Sequence, residues 1–276
     1  MNIRTALQQG TRLLDEGAVP SSRLTAEILL CHAAGCERTR LYSHPEEDLT
    51  ESAWIHYGRY LHERLNGKPT QYITAKQEFY GRQFRVTPDV LIPRPETEHV
   101  VETVLERARN ARTMLDIGCG SGAIAVTLRL ETGAQVFGTD VSEAALRVAA
   151  RNAERLGARV ELVICDLGSA LSGASFDVVA SNPPYVPDED VRGLQREVRD
   201  WEPHVALFGG ASGLEFYGRL VAEAARLLRP GGLVALELGF KTAEAVRRML
   251  DGRWKEVELI PDLAGIPRVA AARYWP

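Results

Sequence analysis

Hydrophobic residues in the first 70 positions recur at intervals of three or four, the spacing that places side chains on one face of a helix. Polar stretches at 20–22 and 43–50 interrupt this pattern, and the run from Asn66 to Pro69 ends it. We therefore expect a small helical bundle as a first domain over residues 1–71. The recurring apolar positions are Ile3, Ala6, Leu7, Leu13, Leu14, Leu24, Ile28, Leu29, Trp54, Tyr57, Leu61 and Leu65.

A different pattern occupies residues 72–92. Aromatic and β-branched residues lie on both sides of Gly81-Arg82, which predicts a β-hairpin that links two domains. Pro95 and the acidic residues Glu96 and Glu98 then suit the first turn of a new helix, because proline has a helical φ angle and acids stabilise a helix N-terminus. We expect a second domain over residues 93–276.

From Arg112 onward, short β-branched runs alternate with helical patterns, which is typical of a parallel sheet covered by helices on both faces. The predicted fold class is therefore α/β, with a seven-stranded, mostly parallel, Rossmann-like sheet. Ser142 is expected to cap the helix that follows the second strand. The predicted strands are 112–117, 134–139, 159–164, 176–181, 232–238, 255–260 and 268–274.

Composition and charge narrow the functional classes. The 276 residues are 45% hydrophobic, and no apolar run reaches the ~20 residues of a membrane helix. A net charge of −4 argues against a protein whose main task is to bind a nucleic acid backbone. Four scattered cysteines and the lack of a signal-peptide pattern predict reduced thiols in a cytoplasmic protein. The histidines have no ligand spacing, so no metal site is predicted.

A glycine-rich turn follows the first predicted strand. The strand runs through Asp116 into Gly118-Cys119-Gly120-Ser121-Gly122 and then into a helix. Such a turn lets the backbone approach a ligand closely and exposes the amides of a helix N-terminus. Asp140 ends the second strand, where a carboxylate can accept hydrogen bonds from both hydroxyls of a ribose. Since the glycine spacing also fits the dinucleotide fingerprint, the loop alone is compatible with two cofactors.

Three details favour S-adenosylmethionine over a dinucleotide. They are a third glycine at position 122, Asp116 just before the loop, and Asp166-Leu167 at the end of the third strand. Asp166 is expected to accept a hydrogen bond from the adenine amino group, while the backbone amide of Leu167 donates to the ring. Asp140 or Asp166 alone would fit a structural role in capping a turn, but both together with the loop favour a cofactor site.

The motif Asn182-Pro183-Pro184-Tyr185 follows the fourth strand, at the same edge of the sheet as the glycine loop. An amide or conjugated amino nitrogen is a poor nucleophile because its lone pair is delocalised, so a site can activate it by accepting hydrogen bonds from its NH₂ group. The Asn182 side-chain oxygen and the Pro183 carbonyl are two such acceptors in a rigid turn. Tyr185 offers a flat face for a planar group. We predict Asn182, Pro183 and Tyr185 as catalytic residues, with glutamine, adenine and guanine left open as acceptors.

Several further motifs accompany these two. They are Phe79-Tyr80-Gly81, Leu91 to Glu98, Glu202-Pro203, Ala206-Leu207, Gly209-Gly210, Gly213-Leu214 and Gly265 to Arg268. With them the chain resembles, nearly end to end, the bacterial release-factor glutamine methyltransferases of the PrmC/HemK family. The combination of Arg94-Pro95-Glu96-Thr97-Glu98 with Asn182-Pro183-Pro184-Tyr185 is far more specific than either motif alone.

The resemblance implies a class I methyltransferase domain that methylates the glutamine of the Gly-Gly-Gln loop in class I peptide chain release factors. It also implies that the N-terminal helices help to dock the release factor. Neither stable nucleic-acid binding nor membrane binding is expected. The glutamine would be held by Asn182, Pro183, Pro184 and Tyr185, and the cofactor by Gly118, Cys119, Gly120, Ser121, Gly122, Asp140, Asp166, Leu167 and Asn182. We also predict Asp116, just before the loop, as a cofactor-binding residue.

The chain departs from the family pattern at two positions. Cys119 stands where the family often has threonine, and its side chain is expected to point away from the ligand. Leu167 replaces an aromatic residue of some relatives, which leaves the adenine contact at this position open.

Three other functions remain open at this point. An amino-group methyltransferase acting on adenine or guanine in nucleic acid would use the same acceptor motif, although the acidic charge disfavours it. A dehydrogenase fits the glycine loop but makes no use of Asn182-Pro183-Pro184-Tyr185. A non-enzymatic protein would bind the cofactor and dock a partner without methyl transfer.

Overall fold

The computed structural model describes residues 1–276, which form two compact units. The helical unit comprises residues 1–76 and 195–201, and the sheet unit comprises 77–194 and 202–276. The domain limits expected from the sequence, at residues 71 and 92, stay predictions. None of the helices combines the length and the apolar composition that a membrane span requires.

The helical unit is built from five consecutive helices and one later one. Asn2 caps the first helix, because its side-chain oxygen accepts a hydrogen bond from the Thr5 amide at 2.9 Å. Residues 72–74, which the sequence pattern assigned to the hairpin segment, belong to the fifth helix. The helices are α1 (Ile3–Glu16), α2 (Ser22–Ala34), α3 (Arg38–Ser43), α4 (Glu51–Leu65), α5 (Thr70–Thr74) and, later in the chain, α9 (Arg196–Trp201).

The core of the helical unit is the shared apolar face of α1, α2 and α4. Its largest fully buried side chains are Tyr57, Leu14, Leu29 and Leu30. Leu13, Leu24 and Ile28 continue the same helical spacing but are 46%, 43% and 39% exposed. The spacing thus predicted the helices correctly, but not which of their apolar residues are buried.

Helix α9 belongs to the helical unit through its contacts with the end of α4 and the residues after it. Arg64 pairs with Glu197 at 2.6 Å, and the Arg64 side chain is only 8% exposed. The ammonium group of Lys68 lies 5.8 Å from the ring centroid of Trp201. The chain therefore returns to the helical unit more than a hundred residues after leaving it.

The sheet unit contains the predicted seven-stranded sheet and a separate hairpin. The first five strands of the sheet run parallel, and β9 pairs antiparallel with β7. The edge strand β8 pairs antiparallel with β9 and so runs in the same direction as the first five. The strand order is β5-β4-β3-β6-β7-β9-β8, so it reverses between β3 and β6. The strands are β1 (Lys76–Phe79), β2 (Arg82–Arg85), β3 (Thr113–Ile117), β4 (Gln135–Asp140), β5 (Val160–Ile164), β6 (Phe176–Ser181), β7 (Leu228–Glu237), β8 (Trp254–Pro261) and β9 (Pro267–Tyr274).

Helices cover both faces of the sheet because successive side chains of its inner strands point to opposite sides. Met114 of β3 packs into the cluster formed by α6, α7 and α8, and its neighbour Leu115 packs into the cluster formed by α11 and α12. These helices are α6 (Glu98–Ala108), α7 (Ala123–Thr132), α8 (Glu143–Leu156), α11 (Glu215–Leu227) and α12 (Ala243–Met249). A further short helix, α10 (His204–Leu207), lies between α9 and α11 in the chain.

The hairpin turn differs from the predicted one, whereas Pro95 and Ser142 lie at helix starts as predicted. The turn between β1 and β2 is Tyr80-Gly81, with φ angles of 51° and 67°, whereas the sequence suggested Gly81-Arg82. Pro95 begins a single turn of 3₁₀ helix that leads into α6, and Ser142 caps α8 by accepting from the Ala145 amide at 3.2 Å.

Candidate active site

A cleft of about 430 Å³ opens at the carboxyl ends of β3, β4 and β6, where the strand order reverses. Ligands of open α/β sheets bind at this position, because the loops diverge there. The cleft is lined by every residue predicted for the site except Gly122 and Tyr185. Those that line it are Asp116, Gly118, Cys119, Gly120, Ser121, Asp140, Asp166, Leu167, Asn182, Pro183 and Pro184.

The glycine loop is fixed to the neighbouring strand by its backbone. The amides of Gly118 and Cys119 both donate to the carbonyl of Thr139, at 2.8 and 2.9 Å. Gly122 lies behind the loop at a φ of 81°, and a Cβ atom there would come within 3.2 Å of Ala149 in α8. Gly122 therefore permits the close packing of a helix. Its contact with the ligand stays a prediction.

Asp140 holds the loop through both of its carboxylate oxygens. Oδ2 accepts from the Gly120 amide at 2.9 Å, and Oδ1 accepts from the Ser142 amide at the same distance. Each oxygen has a second lone pair, so the carboxylate remains able to accept two hydroxyl groups while its orientation is set by the backbone.

Asp116 is the most deeply buried acid in the cleft, at 1% exposure. Oδ2 accepts from the Ala125 amide at 3.0 Å, but Oδ1 has no hydrogen-bond partner. Burial raises the pKa of Asp116 to about 7, and the negative charge of Asp140 acts in the same direction. A buried acceptor without a donor is costly, so a cationic or N–H-bearing ligand would stabilise this site.

Asp166 and Leu167 lie in the loop after β5, two and three residues beyond the strand end that the sequence assigned to them. The carboxylate of Asp166 pairs with Arg219 of α11, and Leu167 has a left-handed backbone with a φ of 51°. Asp166 is thus engaged by an arginine that also lines the cleft. The Cys119 side chain is buried against Gly138 of β4, in a cluster with Leu162.

Asn182 is anchored by one end of its side-chain amide. Nδ2 donates to Oγ1 of Thr97 at 3.1 Å, while Oδ1 has no partner within the protein. The preceding residue, Ser181, donates from its hydroxyl to the carbonyl of Ile117 at 2.7 Å and so ties the end of β6 to β3. The amide of Asn182 is therefore held by its nitrogen, and its oxygen is left as an acceptor.

Tyr185 packs beside the cleft on Gly239, which follows β7. A Cβ atom on Gly239 would lie 2.6 Å from Cδ2 of the tyrosine, so the ring needs a glycine at that position. The next residue, Val186, exchanges hydrogen bonds with the segment after α10, donating to Leu207 and accepting from Gly209, both at 2.9 Å. Burial raises the pKa of the Tyr185 phenol above its ordinary value, so it stays neutral.

A buried glutamate positions the segment from Ile92 to Arg94, which borders the cleft. Glu202, 3% exposed, accepts from Arg94 and from the Ile92 amide, the latter at 3.3 Å. Between these two lies Pro93, which lines the cleft. Asn152 of α8 has a similar role, because its side chain bonds both the Arg85 backbone and the Ser121 carbonyl at 2.7 to 2.9 Å.

Sequence reasoning missed three of these residues: Thr97, Asn152 and Glu202. All three stand in helix or motif segments where a polar residue is ordinary, so no local signal in the sequence identifies them.

The charges around the cleft favour one kind of ligand. Asp116, Asp140 and Asp166 all line it, and Arg219 is paired to the last of them. Arg219 compensates the charge of Asp166, whereas Asp140 has no cationic partner and Asp116 has an oxygen without a donor, so this end of the cleft disfavours a pyrophosphate and favours a ligand with positive charge or N–H groups. The lining is therefore suited to a cationic nucleoside derivative.

Comparisons with known proteins agree with this arrangement. Residues 5–74 match the PrmC N-terminal domain, and residues 96–197 match the methyltransferase small domain. A methyltransferase structure from Pyrococcus furiosus, 24% identical, covers 71% of this chain and 89% of its own with a TM-score of 0.54, which supports the fold alone.

Relatives of nearly equal length are much more similar. The release factor glutamine methyltransferase of Koribacter versatilis is 44% identical over 99% of both chains. That of Moorella thermoacetica is 44% identical over 97% of both chains. The chain therefore belongs to the release factor glutamine methyltransferase family.

Proposed function

We propose that this protein transfers a methyl group from S-adenosylmethionine to the side-chain amide nitrogen of the glutamine in the Gly-Gly-Gln loop of class I peptide chain release factors. The observation that carries the proposal is the Asn182 side chain, held at Nδ2 and open at Oδ1, in the cleft beside the glycine loop. This function also predicts a cytoplasmic location, where release factors act.

Two aspartates that line the cleft are suited to S-adenosylmethionine. Asp116 has a buried oxygen without a donor, which an amino group of the ligand would satisfy. Asp140 is oriented by two backbone amides and would receive the ribose hydroxyls. When bound, S-adenosylmethionine supplies an electrophilic methyl group on a sulfonium that leaves as a neutral thioether.

The acceptor end of the site is made of oxygens. Oδ1 of Asn182 and the carbonyl of Pro183 would accept the two hydrogens of the glutamine NH₂ group, which favours a pyramidal nitrogen with an available lone pair. Pro183 and Pro184 have no N–H of their own, so no backbone donor competes at this turn. The neutral, partly buried Tyr185 would support the planar amide rather than remove a proton.

Position then provides most of the rate, because two bound reactants no longer need to meet in solution. The glutamine nitrogen, held by Asn182 and Pro183, would accept the methyl group and would then give one proton to solvent. No general base is required, since an amide that carries a fourth substituent on nitrogen is strongly acidic.

The helical unit would dock the release factor. Leu24 and Ile28 are one turn apart on α2, and both are more than a third exposed. Apolar side chains exposed together on one helix face are typical of a protein interaction surface. In this proposal, the exposed face of α2 contacts the release factor while the cleft holds its glutamine.

The test is mass spectrometry of a release factor incubated with the protein and S-adenosylmethionine. One added methyl group on the loop glutamine, absent when that glutamine is changed to alanine, is the expected result. Asn182→Ala should abolish transfer and largely spare cofactor binding. Label in RNA or DNA, with none in the release factor, would overturn the substrate and favour an amino-group methyltransferase of nucleic acid.

A further inference from the structure

Helix α11 holds the loop that follows β5 and carries Asp166. Two arginines of the helix provide the hydrogen bonds. Nη2 of Arg219 donates to Oδ2 of Asp166. Arg226 donates to the carbonyls of Gly168 and Leu171, both at 2.9 Å. The two arginines are seven positions apart, so they lie on the same face of the helix.

The loop also packs closely against this helix. A Cβ atom on Gly168 would come within 2.5 Å of Cδ1 of Leu227, so a larger residue does not fit there without a shift. Further along the loop, the amide of Ala174 donates to the carbonyl of Arg226 at 2.9 Å. Leu167 has a left-handed backbone, which persists in a non-glycine residue only where the surrounding structure holds it. Helix α11 provides that support.

Arg219 is itself placed by an aromatic residue of its own helix. The central carbon of its guanidinium lies 5.6 Å from the ring centroid of Phe216, one turn earlier. Asp166, Phe216 and Arg219 all line the cleft. A nucleoside bound in the cleft would cover this group and displace water from it, which strengthens the ion pair.

The contact with Arg219 leaves one carboxylate oxygen of Asp166 available. Arg219 donates to Oδ2, whereas Oδ1 has no partner within the protein. The Asp166 side chain is 60% exposed, so without Arg219 it would rotate among staggered conformations. Ligand binding would then include the entropic cost of ordering it. The ion pair therefore orients Oδ1 before a ligand arrives.

We propose that Arg219 and Arg226 are positioning residues for the adenine of S-adenosylmethionine. Arg219 orients the Asp166 carboxylate towards the adenine amino group, and Arg226 holds the backbone of the same loop. The inference rests on the proposed function and on the role predicted for Asp166 as the acceptor of that amino group.

The test compares two ligands that differ only in the adenine amino group. They are S-adenosylhomocysteine and the same molecule with a purine that lacks the 6-amino group. Both have a neutral sulfur, which matters because removing an arginine also changes the attraction of the cleft for a cation. Isothermal titration calorimetry on the full-length protein gives both dissociation constants. Wild type should prefer S-adenosylhomocysteine by about tenfold, the effect of one hydrogen bond to a charged group.

Arg219→Met keeps the apolar stem of the side chain and removes the guanidinium. It should bind S-adenosylhomocysteine about fivefold more weakly, the cost of ordering one side chain, and the purine ligand within about twofold of wild type. Its preference for the amino group therefore falls. Arg219→Lys should restore most of this preference, because only one guanidinium nitrogen contacts Asp166 and an ammonium group can replace it.

Arg226→Met tests the backbone part of the inference. Loss of the hydrogen bonds to Gly168 and Leu171 should loosen the whole loop, so the affinity for both ligands should fall by about threefold or more. An unchanged affinity for the purine ligand would overturn the role of Arg226.

Arg147→Met is the matched control. Arg147 of α8 pairs with Glu143 at 2.6 Å, and the two side chains are 58% and 71% exposed, similar to Arg219 and Asp166. Neither Arg147 nor Glu143 lines the cleft. Both dissociation constants of this variant should therefore match wild type. The urea midpoints of Arg147→Met and Arg219→Met should also match wild type, because exposed ion pairs contribute little to stability.

Three outcomes would overturn the role of Arg219. They are a preference in Arg219→Met equal to that of wild type, no preference in wild type, and an equal loss for both ligands in Arg219→Met, which would indicate general support of the cleft. The proposed function fails separately, if the wild-type protein binds S-adenosylhomocysteine but does not methylate the release factor.

Discussion

The carboxylate of Asp140 lies 2.9 Å from the backbone nitrogen of Gly120, so the end of β4 holds the loop that follows β3. The sequence favoured Asp140 as a ligand for ribose hydroxyls over a purely structural role. Its hydrogen bonds indicate a second role, since the same side chain also fixes the shape of the loop.

Asp140→Ala should weaken S-adenosylmethionine binding by roughly 1–3 kcal/mol for the lost acceptor, and by more if the loop relaxes. Isothermal titration calorimetry measures this change. Asp140→Asn is the useful companion, because it keeps one oxygen acceptor and should lose less affinity. Equal affinity in Asp140→Ala and wild type would contradict the assignment.

Asp116→Asn should change the pH dependence of stability. The pKa of Asp116 is raised from the 3.8 of an unperturbed aspartate to about 7. Between these values the folded state keeps a proton that the unfolded state releases, so this group lowers the free energy of unfolding as pH rises. The free energy of unfolding of the variant, minus that of wild type, should therefore increase from pH 5 to pH 8.

Urea unfolding at several pH values measures that difference. Glu237, whose pKa is also raised to about 7, is present in both proteins and cancels. The same variant should bind S-adenosylmethionine more weakly, because an amide replaces a carboxylate. If the difference in free energy of unfolding between the variant and wild type does not change with pH, the pKa of Asp116 is not raised in the folded protein.

Glu202→Ala should destabilise the sheet unit by about 3–5 kcal/mol, since it leaves the partly buried Arg94 without its buried partner. Chemical denaturation measures the effect. The control is Glu258→Ala, which removes an exposed pair with Arg107 at 2.7 Å and should cost less than about 1 kcal/mol. Similar losses in the two variants would mean that Glu202 does not clamp the segment around Pro93.

Gly239→Ala should lower kcat while cofactor affinity is kept. The added methyl group would lie 2.6 Å from the Tyr185 ring and must displace it. Gly218→Ala in α11 is the matched control, because its Cβ would meet no atom within 4 Å and should improve helix stability by up to about 1 kcal/mol. Steady-state kinetics on the release factor separate the two, and an unchanged kcat in Gly239→Ala would argue against a role for the Tyr185 ring.

Charges on α2 should impair docking but not chemistry. The double change Leu24→Glu and Ile28→Glu should raise KM for the folded release factor at unchanged kcat. A short peptide that carries the glutamine loop serves as the internal control, since it should be methylated equally by both proteins. A rise in KM for the peptide as well would place the defect in the catalytic cleft.

The sequence predicted the architecture because hydrophobic residues recur every second position in strands and about every 3.6 positions in helices. Both periods can be recognised within a short stretch of chain. All seven strands of the sheet are present near the predicted positions. The largest error is the start of β7, at Leu228 rather than residue 232, because Pro230 and two glycines hide a strand that pairs with Phe176.

The cleft could be predicted only for residues in recognisable motifs. The loop and Asn182-Pro183-Pro184-Tyr185 come together because parallel strands end at one edge, which sequence order already implies. The partners of Asn182 and Arg94 could not be found in this way. Thr97 lies 85 positions from Asn182, and Glu202 lies 108 positions from Arg94, so only the folded chain reveals these pairs.

Helix α9 has a consequence for protein engineering. A single crossover near residue 76 would exchange only part of the helical unit between two family members. The segment 195–201 would then remain from the recipient, and a donor residue at position 64 would have to pair with the recipient's Glu197. A functional chimera should therefore carry two donor segments, 1–76 and 195–201, so that Arg64 and Glu197 are inherited together.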